Sequence, residues 1–403
     1  MEPTGNADRY VAVGGRSPEV PLHVAFASLR PASDIRAWSG TIHFMAKALE
    51  QQGLELHHVG KLFPRRLWVN KAVNRACRMA GLPGPLPLER SFPMARRYAQ
   101  AIGAFARRGG HDLIFSPSSI PVALLNTSIP KVFYTDATFG DMVESSPIYG
   151  SYTTAELREG EELERAALSN CDMAIYSSHW AAESAIVRYG ARRDKVKVVP
   201  FGSNLDIQPT EEEVKRAVGK RPLDRCDLLL LGVSWTGKGG PFALEVARRL
   251  NKAGLPSTLT VVGCTPPPDT PAALVRVVPF VDKGTPEGQR TLVELILGSH
   301  FLLLPSQAEC FGIVYTEASS MGVPSLARLI QGVGDAVREG RNGHVFAPDA
   351  SPDAYVAAIM RLMGDRKAYE QLALSALREH RQHLNWQVAG AALKAHLVSL
   401  VRP

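Results

Sequence analysis

The chain has 403 residues, with 46 Lys and Arg against 39 Asp and Glu, a formal net charge of +7. That length accommodates two domains with full cores. A composition of 45% hydrophobic and 21% charged residues excludes a disordered or fibrous class. No apolar run approaches the ~20 residues of a membrane-spanning helix. Residues 1–20 lack the basic start and apolar core of a secretory signal and read as a loose tail. The five cysteines are scattered with no Cys-x-x-Cys, which argues against a disulfide framework or a zinc site and for a reducing, cytoplasmic compartment.

In chain order, residues 22–29 read as a first buried strand and 42–52 as a helix. Trp38-Ser39-Gly40-Thr41 forms the turn between them, where Gly40 permits close approach of a ligand. A second strand follows at 54–59. From position 61 to 110 there are eleven Lys or Arg and one acid, Glu89, a local charge of +10. There, Leu62, Phe63, Leu67, Trp68 and Val69 interleave with Arg65, Arg66, Lys71, Arg75 and Arg78. Such a segment suits either an anionic membrane surface or a solvated helix face. No nucleic-acid-binding module is visible, so nucleic acid is not an expected partner.

A helix at 90–108 and strands at 111–116 and 131–135 come next. Asp136 lies just past the carboxyl end of the last, facing the same cleft as Gly40. It is a candidate for orienting an acceptor or assisting as a base, against the alternative of a turn or N-cap aspartate. Helices at 153–169 and 179–189 alternate with strands at 173–177 and 195–200. The turn Phe201 to Asp206, then a polar stretch at 208–227 containing Pro209 and Pro222, marks a domain boundary.

The strand–helix pattern restarts at 227–233. The loop from Ser234 to Gly240 carries Lys238, placed to neutralise a diphosphate. Gly-Val-Ser-Trp-Thr-Gly-Lys-Gly matches the Gly-x4-Gly-Lys of a phosphate-binding loop, but Gly239 stands where Ser or Thr must hold magnesium. Strands at 258–263 and 275–278 follow. Residues 299–327 are the richest stretch: a buried strand at 300–304, a loop with Glu309, a helix at 313–321, and a further strand at 323–327. Glu309 and Glu317 have seven residues between them. The amides of Phe311, Gly312 and Ile313 open the helix and suit a phosphate or a sugar hydroxyl, while carboxylates on either side can accept bonds from hydroxyls. A nucleotide sugar is anionic at one end and hydroxyl-rich at the other. Further on, Gly332 and Gly334 offer amides for the diphosphate. A strand at 340–348, helices at 352–363 and 366–384, and a terminal helix to 400 complete the chain.

The run PSQAECFGIVYTEASSMGVP resembles the donor-site motif of the retaining, metal-independent glycosyltransferases with the GT-B fold, family four (glycosyl transferases group 1). The resemblance implies an α/β protein of two Rossmann-like domains facing across a cleft. It assigns 21–207 to an acceptor-binding domain, 208–385 to a nucleotide-sugar-binding domain, and 386–403 to a helix returning to the first. Glu309 contacts the donor sugar, Phe311, Gly312 and Ile313 contact sugar and diphosphate, and Glu317 binds ribose. Lys238 meets the diphosphate, Phe280 lies in the loop at the nucleobase, and Gly40 and Asp136 face the reaction centre. The family places an arginine near this lysine. Here Val233 and Gly237 occupy its positions, with Arg328 a distant substitute. The expected function is transfer from a nucleotide diphosphate sugar, a UDP-sugar first, to a glycan, lipid-linked or small hydroxyl acceptor, with no metal and no cofactor beyond the donor. The alternatives are a non-catalytic nucleotide- or glycan-binding scaffold and a same-fold sugar-nucleotide epimerase. The expected location is cytoplasmic, peripheral at the inner face of the membrane through residues 61–110.

Overall fold

The structure is a computed structural model that describes residues 21–60, 62, 66–79, 89–145, 149–150 and 152–402. The tail expected at 1–20, and Phe63 and Arg65 of the basic segment, lie outside the described residues.

Two parallel six-stranded sheets organise the chain. The first contains β1 (His23–Phe26), β2 (Glu55–His58), β3 (Leu113–Ser116), β4 (Lys131–Thr135), β5 (Met173–Tyr176) and β6 (Val196–Val198), in the order β2-β1-β3-β4-β5-β6. The second contains β7 (Cys226–Leu231), β8 (Ser257–Val262), β9 (Val275–Val278), β10 (Phe301–Leu304), β11 (Ser325–Arg328) and β12 (Gly343–Phe346), in the order β12-β11-β10-β7-β8-β9. Central strands such as β3 (LIFS) and β10 (FLLL) are wholly buried, as parallel strands covered on both faces must be. Strand order reverses between β1 and β3 and again between β7 and β10, which opens a crevice at the carboxyl ends of each sheet.

Flanking the first sheet are α1 (Thr41–Gln51), α2 (Arg66–Met79), α3 (Phe92–Ala106), α4 (Phe139–Ser145), α5 (Thr154–Asn170) and α6 (His179–Val187). With the second are α7 (Glu211–Lys220), α8 (Gly240–Lys252), α9 (Pro286–Leu297), α10 (Ile313–Ser320), α11 (Val333–Ala336), α12 (Pro352–Met363) and α13 (Arg366–Gln382). The stretch at 208–227 is not simply a polar linker. Thr210 and Glu213 form a capping box that starts α7, and Val214 and Val218 pack on Ala373 and Leu377 of α13. Helices α4 and α9 are likewise additions to the sequence reading. The last helix, α14 (Trp386–Val401), lies on α1. A Cβ at Gly390 would come within 3.0 Å of the Ala48 carbonyl, so the C-terminal helix returns to the first sheet's side of the molecule. Among the described residues, no helix is long and apolar enough to cross a membrane.

Phe201 joins the two halves. Its ring meets Trp38 at 5.4 Å, Tyr134 at 4.9 Å, Phe311 at 5.4 Å and Trp386 at 5.7 Å between centroids. The next residue must be small, because a Cβ at Gly202 would sit 2.3 Å from the Trp386 nitrogen. Asn204 completes the joint. It donates to the Ser39 carbonyl and the Thr41 hydroxyl, both at 3.0 Å, and accepts from Trp386 Nε1 at 2.8 Å.

Candidate functional site

The site is built where β10 ends. The loop carrying Glu309 turns into α10 through Gly312, whose φ is +90°. That conformation excludes most side chains, and a Cβ there would also strike the Tyr315 ring at 2.4 Å. Tyr315 is buried and donates to the Leu304 carbonyl at 3.1 Å, which fixes the helix against the strand that precedes it. The first amides of α10 have no intrahelical acceptor and face the crevice with the positive end of the helix dipole. Phe311 is 1% exposed and belongs to the Phe201 cluster. Any contact of Phe311 with a ligand therefore runs through its backbone.

Glu309 is held from three directions. Lys238 Nζ lies 2.5 Å from its Oε2, the Ser306 hydroxyl donates to the same oxygen at 3.3 Å, and its backbone N–H donates to Gln331 Oε1 at 2.5 Å. Lys238 reaches it by folding over Gly232, the residue that follows β7. A Cβ at that position would lie 2.6 Å from Lys238 Cγ. Trp235 is packed on Gly240 at the start of α8, where a Cβ would collide with the indole, so the loop bearing Lys238 is clamped from below. Val233, at the position where the resembling family has arginine, is 73% exposed. Arg328 does not take over. Its guanidinium stands over the Phe242 ring at 5.4 Å, in neither ion pair nor hydrogen bond with Lys238 or Glu309.

Glu317 is buried on α10, and Lys283 Nζ lies 2.5 Å from its Oε1. Lys283 is the residue that sequence reasoning missed. It follows Phe280-Val281-Asp282, 34 positions before its partner, and no local signal links the two. The site therefore presents two Lys–Glu pairs, one before and one within α10. Phe280 is 65% exposed at the rim, near Gly263. Gly332 fits against the same loop: a Cβ would sit 1.9 Å from the Cys310 carbonyl, which gives this glycine a packing reason of its own. Gly334 meets only Leu329, at 3.4 Å. Burial, followed by the charges of Asp136 and Glu309, pushes the Cys310 thiol well above its usual range, which favours the neutral thiol.

The first domain contributes a strained turn. Trp38, Ser39 and Gly40 all have positive φ, at 49°, 55° and 90°, a conformation that costs on the order of 1 kcal/mol or more per non-glycine residue. It directs Trp38 Nε1 to Asp136 Oδ2 at 3.3 Å. Burial pushes the Asp136 carboxyl up to about 6. The Trp38 hydrogen bond opposes that shift, and the charge of Glu309 across the cleft adds to it. The structure thus brings Gly40, Asp136, Lys238, Glu309 and the α10 amides to one crevice.

The two domains touch around this crevice. Arg36 bonds Asp282 at 2.5 Å, Gln331 Nε2 bonds the Ser145 hydroxyl at 2.5 Å, and Asp335 accepts from the His179 backbone at 2.8 Å and meets its ring at 2.6 Å. Beside the first-domain turn, a cavity of about 490 Å³ is lined by Arg30, Arg36, Asp34, Trp38, Ser118 and Glu89, among others. A second cavity, of about 360 Å³, lies behind the joint at Ser203 and Trp386 and includes none of the site residues above.

Two Rossmann-like sheets facing across a cleft, with a terminal helix returning to the first domain, define the GT-B class. The sequence model described as Glycosyl transferases group 1 matches residues 213–377, and that described as Glycosyltransferase Family 4 matches residues 41–207. The chain belongs to glycosyltransferase family four. Among curated relatives, D-inositol 3-phosphate glycosyltransferase of Corynebacterium diphtheriae is 24% identical over 249 residues, 58% of this chain and 57% of that protein. The protein of the same name from Streptomyces avermitilis is 29% identical over 260 residues, 59% of this chain and 56% of that protein. The chain spans about half the length of these curated relatives. Among solved structures, a sucrose-phosphate synthase from Thermosynechococcus elongatus has a TM-score of 0.68 at 15% identity, covering 94% of this chain and 99% of the other. Anabaena HepE, solved with UDP-glucose, has a TM-score of 0.59 at 16% identity, covering 94% of this chain and 100% of the other.

Proposed function

We propose that this protein transfers a sugar from a nucleotide diphosphate sugar to a hydroxyl acceptor, with retention at the anomeric carbon and without a metal. The observation that carries the reading is the pair of Lys–Glu contacts, Lys238–Glu309 and Lys283–Glu317, flanking the amides that open α10. A diphosphate entering the crevice takes Lys238 and the α10 amides. Glu309 is then free to accept from sugar hydroxyls, and Glu317, steadied by Lys283, accepts from the ribose. Negative charge developing on the leaving diphosphate meets a preset cation and helix end. Asp136 stands opposite, where an acceptor hydroxyl must approach. A UDP-sugar is the first donor to test; HepE, with the same fold, was solved with UDP-glucose.

The acceptor side favours an anionic, hydroxyl-bearing compound. The cavity beside the first-domain turn contains Arg30 and Arg36, whose guanidinium groups suit phosphate, although Arg36 also pairs with Asp282 and the lining includes Asp34 and Glu89. The curated relatives are named for D-inositol 3-phosphate, which makes that compound the first soluble acceptor to offer. A membrane-facing acceptor has separate support. Helix α2 has no acid, and it exposes Val69, Val73 and Met79, as a peripheral membrane helix does. Arg66, Leu67, Trp68, Lys71 and Arg78 of this helix have side chains outside the described residues.

Purified protein in EDTA, given UDP- and GDP-sugars with D-inositol 3-phosphate or with lipid acceptors, tests the reading. It predicts release of one nucleotide, lost in Lys238→Ala. Nucleotide binding with no release from any donor supports the scaffold instead.

A further inference from the structure

We infer that the chain carries a site for a divalent transition metal of the zinc class, away from the transfer cleft, formed by His23, Glu55 and His57. Parallel pairing of β1 with β2 sets His23 opposite Glu55 and Ala25 opposite His57. The alternation of strand side chains puts all three on one face of the sheet. Their ligand atoms lie within 4.8 Å of one another. Glu55 stands between the rings, with Oε1 3.1 Å from His57 Nε2 and Oε2 3.4 Å from His23 Nδ1. Nitrogen and oxygen ligands at about 2.0–2.1 Å from tetrahedral zinc are about 3.3 Å apart, so the carboxylate is spaced for the metal with little movement.

Two further observations point to a ligand. His23 Nδ1 is buried and has no hydrogen-bond partner, although Glu55 is close. His111, just before β3, places a third imidazole 5.1 Å from His57 between ring centroids. Its buried Nδ1 is also unpartnered. Two imidazoles and a carboxylate whose ligand atoms converge, with His23 Nδ1 unpartnered and the unpartnered Nδ1 of His111 on a neighbouring ring, form a donor set for a borderline-soft cation. His23 and Glu55 are the first residues of β1 and β2 and His111 precedes β3, whereas Gly40 and Asp136 lie past the carboxyl ends of β1 and β4. A metal here clips the edge strand β2 to β1 and takes no part in transfer. The inference is independent of the proposed activity.

The test is titration of EDTA-stripped, full-length protein with Zn²⁺ by calorimetry and with Co²⁺ by visible absorption. One saturable equivalent is expected, weakened about tenfold or more in each of His57→Ala and Glu55→Gln. Both residues are partly exposed on an edge strand, and Glu55→Gln keeps the shape, so circular dichroism separates ligand loss from misfolding. Thermal stability should rise with Zn²⁺ in the wild type and not in the folded variants. Absence of saturable binding, or equal affinity in wild type and both variants, which would put the metal on cysteines or elsewhere, overturns the inference.

Discussion

Lys238 Nζ rests 2.5 Å from Glu309 Oε2, so the cation proposed to meet the donor diphosphate and the carboxylate proposed to hold its sugar neutralise each other. Both side chains are mostly buried, at 23% and 14% exposure, and each pays less for burial while paired. Donor binding exchanges one charge pair for another rather than burying new charge. Lys238→Ala should therefore reduce turnover by about 10²–10³-fold, the loss seen when one charge-stabilising donor is removed. Steady-state kinetics on one donor checks this, and an unchanged kcat contradicts it.

Lys283 is assigned to holding Glu317. Lys283→Met should raise the donor KM about tenfold with little change in kcat, because the ribose contact proposed for Glu317 would be made equally in ground and transition states. Lys283→Arg should recover most of the affinity. The Met variant should also lose about 1–3 kcal/mol of stability, since it leaves a buried carboxylate without its partner. Equal falls in kcat and kcat/KM would place Lys283 at the reacting centre instead.

Asp136 makes stability depend on pH. Burial raises its pKa in the folded state to about 6, above the ~3.9 of an exposed aspartate. The folded state holds this proton more tightly than the unfolded state, so the Asp136 contribution falls as pH rises from about 4 to 6. Asp136→Asn removes that penalty. The variant should be more stable than wild type at pH 7, by up to about 3 kcal/mol, with the difference shrinking toward pH 4. Urea unfolding at the two pH values measures it. A pH-independent difference would show that Asp136 does not titrate in this range.

Gly312→Ala tests the close approach of the backbone to the donor. Positive φ and the contact with Tyr315 together predict a loss of about 1–3 kcal/mol in stability. Donor affinity should fall more than that of a Gly53→Ala control, a positive-φ glycine with nothing within 4 Å of its added Cβ. Thermal melts and nucleotide titration read both quantities.

Much of this was legible in the chain. Strand, loop and helix around Glu309 announce themselves, because a fully buried parallel strand is a short apolar run and Gly312 and Gly322 mark the helix ends. Strand β4 falls at 131–135 as the sequence predicts. Helix α7 was hidden by its charge: only Val214 and Val218 are buried, and they pack on a helix about 160 residues later. Its capping box, Thr210 with Glu213, was the available signal. Helix α9 also carried signals, an N-capping Thr285 with Pro286 after it and Leu292, Val293 and Ile296 on one face. Lys283 and the His23–Glu55–His57 group were not legible at all. Each depends on pairing between distant segments, and neither residue spacing nor composition encodes strand register.

The most direct test of the account is nucleotide release from a panel of UDP- and GDP-sugars in EDTA, with and without D-inositol 3-phosphate, by wild-type protein and by Lys238→Ala. The account predicts acceptor-dependent release from one donor, lost in the variant. Tight nucleotide binding with no release from any donor, unaltered by acceptor, would contradict it and leave a binding protein built on the same fold.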